Sequence, residues 1–316
     1  MRPLMFKNAC YFRIADGFEL PPLPTLEKAL QKGRFVPCGP TQADSSGWVP
    51  PRGARHTQLA EAVGSQLILK LRTEKRAVPS SAVKAGVEEK IERYRKETGL
   101  ERVGARVKRE FKEEVLLDLL PRAFTRRIDT LLWLAPAHRL LVIDSGTLAG
   151  ADRIVSSLLA ALIDIPAGAA LDLQLIPTEL SPATAMAHWL GTREAPLHFT
   201  IDRDCELKTP DDQKSTVRYA RHTLDIDEIA QHIAAGKVPT QLAMTWNDRV
   251  SFVLSDSGQV RRIKLLDVVM EGVDKPGKDE DGFDADAAIL TAELAGLLAD
   301  LLEALGGPAD AAPSAA

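Results

Sequence analysis

Residues 119–133 read Leu119-Leu120-Pro121-Arg122-Ala123-Phe124-Thr125-Arg126-Arg127-Ile128-Asp129-Thr130-Leu131-Leu132-Trp133, and a helix must end and a strand begin within them. Upstream, Val103, Val107, Phe111, Val115 and Leu119 repeat at i, i+4 and form one apolar stripe, with Arg102, Arg106, Lys108, Arg109 and Lys112 mostly off it. Pro121 stops this helix, because it has no N–H to donate and its ring restricts Leu120. Downstream, residues 130–134 and 140–144 read as two buried strands around Ala135-Pro136-Ala137-His138-Arg139, a β-hairpin. Arg122, Phe124, Arg126 and Arg127 therefore fall at the junction of a basic helix and an antiparallel sheet.

Working outward, the chain alternates short strands and helices without the regular rhythm of a parallel doubly wound sheet. Strands are expected at residues 6–14, 33–36, 67–71, 171–176, 197–201, 217–222, 241–245, 250–254 and 260–266, and helices at 23–31, 149–162, 182–190, 225–235 and 290–305. The prolines and glycines of residues 37–53 predict irregular structure there, and Arg72, Lys75 and Arg76 are placed at the exit of the 67–71 strand. The pattern predicts an α+β fold of antiparallel β-sheets and packed helices. Its expected parts are a central region (1–78 with 121–180), a projecting helical hairpin (79–120), a C-terminal α+β region (181–307) and a disordered tail (308–316).

The 316 residues are 45% hydrophobic and 27% charged, as in ordinary globular proteins. No apolar run approaches the roughly 20 residues of a membrane-spanning helix, and the N-terminus carries no signal-peptide stretch, so a cytoplasmic protein is expected. Cys10, Cys38 and Cys205 are odd in number and widely spaced, which predicts reduced, structural thiols. The net charge of −4 conceals a split: residues 1–130 carry 25 Lys and Arg against 16 Asp and Glu, whereas residues 131–316 carry 15 against 28. A basic half on an acidic whole points to a localised polyanion-binding face, although a solvated helix face gives the same count.

Phosphate-loop, dinucleotide, HExxH and GxSxG motifs are missing from the sequence, and its six histidines are dispersed. The acidic stretch 267–286 lacks the ligand register of a calcium loop, so Asp284 or Asp286 is expected to cap the following helix. The chain reads as a binding protein without metal, cofactor or catalytic residues. Strand-like spacing would put Arg122, Phe124 and Arg126 on one face, where Phe124 fits core or subunit-interface packing, or a base contact.

Several stretches together resemble the bacterial recombination-associated RdgC family. They are Phe6-Lys7-Asn8 with Tyr11 and Arg13, Phe35-Val36-Pro37-Cys38-Gly39, Gly47-Trp48-Val49-Pro50-Pro51, Leu119 to Phe124, Ala235-Gly236-Lys237-Val238, and Phe283-Asp284-Ala285-Asp286 with Thr291-Ala292-Glu293-Leu294. The resemblance implies a ring-forming homodimer, nucleoid-associated and not an enzyme. Such a ring encircles double-stranded DNA with little sequence preference, binds single-stranded DNA more weakly, and opposes RecA-dependent recombination and replication-fork repair. It also implies that Phe124 closes the ring. Before the Ala-Gly-Lys-Val motif, Val217-Arg218-Tyr219-Ala220-Arg221-His222 keeps a cation at Arg221 and replaces an amide by His222.

Residues and resemblance together give Arg76, Arg106, Arg109, Lys112, Arg122, Arg126, Arg127, Arg218, Arg221 and Lys237 as the expected DNA contacts. The alternatives are a Mg²⁺-dependent nuclease and a protein-binding adaptor with a basic face.

Overall fold

A computed structural model describes residues 6–165, 171–210, 215–271 and 282–309. The expectations for the acidic stretch at 272–281 and for the tail beyond 309 fall outside these residues. One antiparallel sheet runs through the molecule in the order β2-β4-β5-β6-β1-β12-β11-β10-β8-β9, with β3 paired to β4 and β7 to β1. Its strands are β1 (Asn8–Ile14), β2 (Asp44–Trp48), β3 (Ala60–Val63), β4 (Gln66–Ala77), β5 (Phe124–Ala135), β6 (Leu140–Ile143), β7 (Leu173–Leu175), β8 (Phe199–Lys208), β9 (Thr216–Tyr219), β10 (Val238–Trp246), β11 (Val250–Ser255) and β12 (Val260–Leu265). β1 joins the two halves: Asn8 and Ala9 pair with β12, and Cys10 to Arg13 pair with β6.

The central strands read as continuous apolar runs because both their faces are covered. Leu132, Leu134, Leu141 and Ile143 face a core that includes α1 (Leu23–Lys32) and α4 (Leu148–Leu162). Leu131, Trp133, Leu140 and Val142 face the larger core, which includes α5 (Pro182–Thr192), α6 (Asp227–Ala234) and α8 (Phe283–Ala304). The 22-residue α8 buries Leu290, Leu294, Leu297, Leu298 and Leu301 there, and Trp246 donates from Nε1 to Asp300 at 2.6 Å. A four-residue α7 (Asp267–Met270) follows β12.

Between β4 and β5 stand α2 (Ser80–Thr98) and α3 (Ala105–Leu119), joined by a turn whose Gly99 has φ 69°. They pack on each other, with Val115 against Gly86 and Phe111 edge-on to Tyr94 at 5.7 Å, and Lys90 reaches Glu114 at 2.7 Å. The expected stripe is the inner face of α3: Val115 is buried and Val107, Phe111 and Leu119 are half-buried. α2 contains no buried residue. The α3 helix stops at Leu119, and Leu120–Arg122 form one 3-10 turn around Pro121.

Several sequence-based expectations are corrected. Residues 33–36 form no strand beyond an isolated bridge between Arg34 and Trp48. The stretch expected to be irregular contains β2, whose Gly47 lies so close to Phe35 that a Cβ would sit 2.5 Å from its Cα. β3 has no counterpart among the expected strands. Arg72, Lys75 and Arg76 lie within β4 rather than at its exit, and β5 begins at Phe124, so Arg126 and Arg127 lie inside a strand. The α8 N-cap is Gly282 at φ 70° with no side-chain cap, and Asp284 instead pairs with Arg52 at 2.5 Å.

Candidate nucleic-acid interface

β4 and β5 are both 12 residues long and pair continuously from Leu67 opposite Leu134 to Ala77 opposite Phe124. Only half of β5 is covered by the core: Thr130 to Ala135 are buried, and Phe124 to Asp129 are exposed. Alternation puts Phe124, Arg126 and Ile128 on one face, together with Lys75, which lies opposite Arg126. Phe124 is 89% exposed and Ile128 48%, an apolar pair with a cation between them. Lys75 and Arg126 are like charges in direct register, a destabilising arrangement, with Asp44 next on β2. Arg122, exposed at the end of the 3-10 turn, and Arg126 make no ion pair among the described residues.

The opposite face is internally neutralised. Arg72 grips Asp129 with two bonds of 2.6 and 2.7 Å, and Arg127 donates from Nε to Glu74 at 2.5 Å. Both guanidinium groups also approach the ring of Phe35, at 5.7 and 5.8 Å from its centroid. The bond from Arg127 and a second from the Cys38 amide, at 2.8 Å, hold the buried Glu74 carboxyl below its ordinary range. Arg76 is occupied by main-chain carbonyls: Nε and one N–H of Nη2 reach Gly39, Nη2 also reaches Cys38, and Nη1 reaches Leu120 and Ala123.

The remaining candidate cations lie elsewhere. Arg106 and Arg109, on α3, are exposed and paired to Glu110 at 3.1 Å and Glu113 at 3.6 Å, whereas Lys112 is exposed with no ion pair among the described residues. Exposed i, i+4 pairs of this kind contribute only about 0.3–0.5 kcal/mol, so a phosphate can displace them cheaply. At the far edge of the sheet, Arg218 meets the buried Glu206 at 2.7 Å, and Lys237 donates to Ser215 at 2.9 Å and Thr209 at 3.3 Å. The Glu206 carboxyl is held low chiefly by its bond to Lys208. Arg221 sits at φ 54°, with its backbone N–H on Asp204 at 2.6 Å. The fold thus gathers Arg76, Arg122, Phe124, Arg126 and Arg127 at one ribbon end, sets Arg106, Arg109 and Lys112 on α3, and leaves Arg218, Arg221 and Lys237 at the opposite end of the strand order.

Lys75 and Ile128 belong to the exposed face and are not among the contacts expected from sequence. Counting the antiparallel register outward from Leu67 and Leu134 would have found both. Among the described residues, no three His, Cys, Asp or Glu side chains converge as a metal-binding group, and no helix is long and apolar enough to cross a membrane. Cys10 and Cys205 are free and buried, with thiols pushed up to about 12 by burial.

A family model described as "Putative exonuclease, RdgC" matches residues 4–308. The recombination-associated protein RdgC of Dechloromonas aromatica is 40% identical over 308 residues, covering 96% of this chain and 98% of the relative. Those of Cupriavidus pinatubonensis and Bordetella pertussis are 41% and 35% identical over 305 residues, each covering 96% of this chain and 99% of the relative. By this agreement along nearly its whole length, the chain belongs to the RdgC family, whose named members are recombination-associated proteins.

Proposed function

We propose that the protein is a non-catalytic, sequence-independent binder of double-stranded DNA that closes around the duplex as a homodimeric ring. In this reading it modulates recombination by occupying DNA and so opposing RecA-dependent strand exchange and fork repair, and it is associated with the nucleoid. One observation carries the reading. On a ribbon end whose opposite face is neutralised internally, Arg122 and Arg126, without an ion pair among the described residues, flank an almost fully exposed Phe124. Unpaired cations supply phosphate affinity that ignores base identity, and a protruding aromatic is the usual anchor of a protein–protein contact. The projecting α2–α3 hairpin and the Arg218, Arg221 and Lys237 edge supply further cations. Duplex binding exceeds single-strand binding in this account, since the face offers one exposed aromatic ring rather than a row of stacking platforms.

The family model's description as an exonuclease keeps a nuclease as the second reading, with Mg²⁺ the metal such chemistry would use. Incubating supercoiled and linearised plasmid with the protein and Mg²⁺ separates the two, the linear form because an exonuclease needs a free end. The proposal expects retarded, intact plasmid; nicked or shortened DNA supports the nuclease, and plasmid neither retarded nor cut supports an adaptor whose basic face meets an acidic protein.

A further inference from the structure

Arg76 belongs to the cationic ribbon end, yet its guanidinium has no donor left for a phosphate. A guanidinium has five N–H groups, and five hydrogen bonds of 3.1–3.3 Å join it to four carbonyls. Those carbonyls come from two segments far apart in sequence. Cys38 and Gly39 lie in the loop that precedes β2, Leu120 opens the 3-10 turn that presents Arg122, and Ala123 follows that turn and leads into Phe124. The half-buried side chain thus binds loop to turn at the end of the ribbon. Its own backbone N–H, bonded to Ala43 at 2.8 Å, fixes β4 against the same loop.

We infer that Arg76 is a positioning residue for the DNA- and partner-binding end of the ribbon, not a phosphate contact: it holds the Leu120–Arg122 turn so that Arg122 and Phe124 project outward. The inference rests on the proposed function for what those two side chains do, and on hydrogen bonds alone for what Arg76 does. Only a planar fork reaches both segments at once. A lysine at this position keeps the charge and loses the bridge, whereas a phosphate contact that needs only a point charge tolerates lysine.

The test compares wild type with Arg76→Lys and Arg76→Gln by tryptic cleavage, duplex affinity and dimer dissociation. In both variants, hydrolysis of the Arg122–Ala123 bond should accelerate about tenfold, the effect of losing the charge-assisted bonds that hold the turn, with cleavage in the C-terminal half unchanged. Both should also lose duplex affinity and dimer stability to a similar extent. Wild-type behaviour of Arg76→Lys in cleavage or in DNA affinity overturns the inference. General unfolding would raise cleavage everywhere, so the localised change separates positioning from a structural defect; cleavage raised throughout the chain in both variants, with exchange of the Ala123 N–H, bonded to Leu120 at 3.1 Å in wild type, no faster than that of other amides, also overturns the inference. A wild type that binds no duplex overturns the proposed function, while the cleavage rates still decide whether Arg76 holds the turn.

Discussion

Arg122 and Phe124 are two residues apart and are assigned different work. Charge reversal by Arg122→Glu should weaken binding to every duplex sequence alike. Because a dimer carries two copies, the slope of log affinity against log salt should fall by about 1.8, at roughly 0.9 for each phosphate no longer neutralised; an unchanged slope in a salt titration removes Arg122 from the interface. Phe124→Ala should raise the dimer dissociation constant about 30-fold or more, the loss expected of an interface anchor, and sedimentation checks it. On the opposite face, the Glu74 carboxyl is held below its ordinary range by Arg127 and the Cys38 amide, so it stabilises the fold above its unfolded pKa of about 4.3 and that contribution is lost as pH falls through the folded value. Glu74→Gln should therefore melt below wild type at pH 7, and the gap should close in acid; a gap that stays constant down to pH 2 contradicts the assignment.

The ribbon illustrates what an element's sequence makes legible. Residues 130–134 and 67–71 are readable as strands because their side chains are largely buried, and the continuation to Phe124 and Ala77 is not. That outer half rests on cross-strand pairs, Arg72 with Asp129 and Arg127 with Glu74, and such pairs leave no apolar alternation to read. The α3 stripe and the stop at Pro121 are legible since both are local, whereas β2 depends on the approach of Gly47 to Phe35 across the chain. Of the site, the cluster from Arg122 to Arg127 is visible in sequence; the occupation of Arg76 by carbonyls is not, because Gly39 lies 37 positions away, Leu120 44 and Ala123 47. Packing inside α8 gives a further test. An alanine in a helix interior is ordinarily better than glycine by about 1 kcal/mol, yet a Cβ at Gly296 would lie 2.8 Å from the Trp246 ring, which Asp300 holds in place. Gly296→Ala should instead destabilise by about 1–3 kcal/mol, read by urea unfolding; a stabilised variant would refute this account of the packing.

At the scale of the whole molecule, one sheet carries candidate cations toward both ends of its strand order, and the excess of acidic residues falls in the C-terminal half. The proposed closed dimer would give this distribution a purpose: cations from both copies would line the hole, and carboxylates facing outward would discourage adhesion to other DNA. The central claim is a dimer that binds duplex DNA through charge and without regard to sequence. Its most direct test is a fluorescence-anisotropy titration of labelled duplexes of unrelated sequence across a salt series, with sedimentation of the same protein. The account predicts a dimer whose affinity is equal for the sequences and falls steeply with salt; a monomer that binds no duplex even at low salt would contradict it.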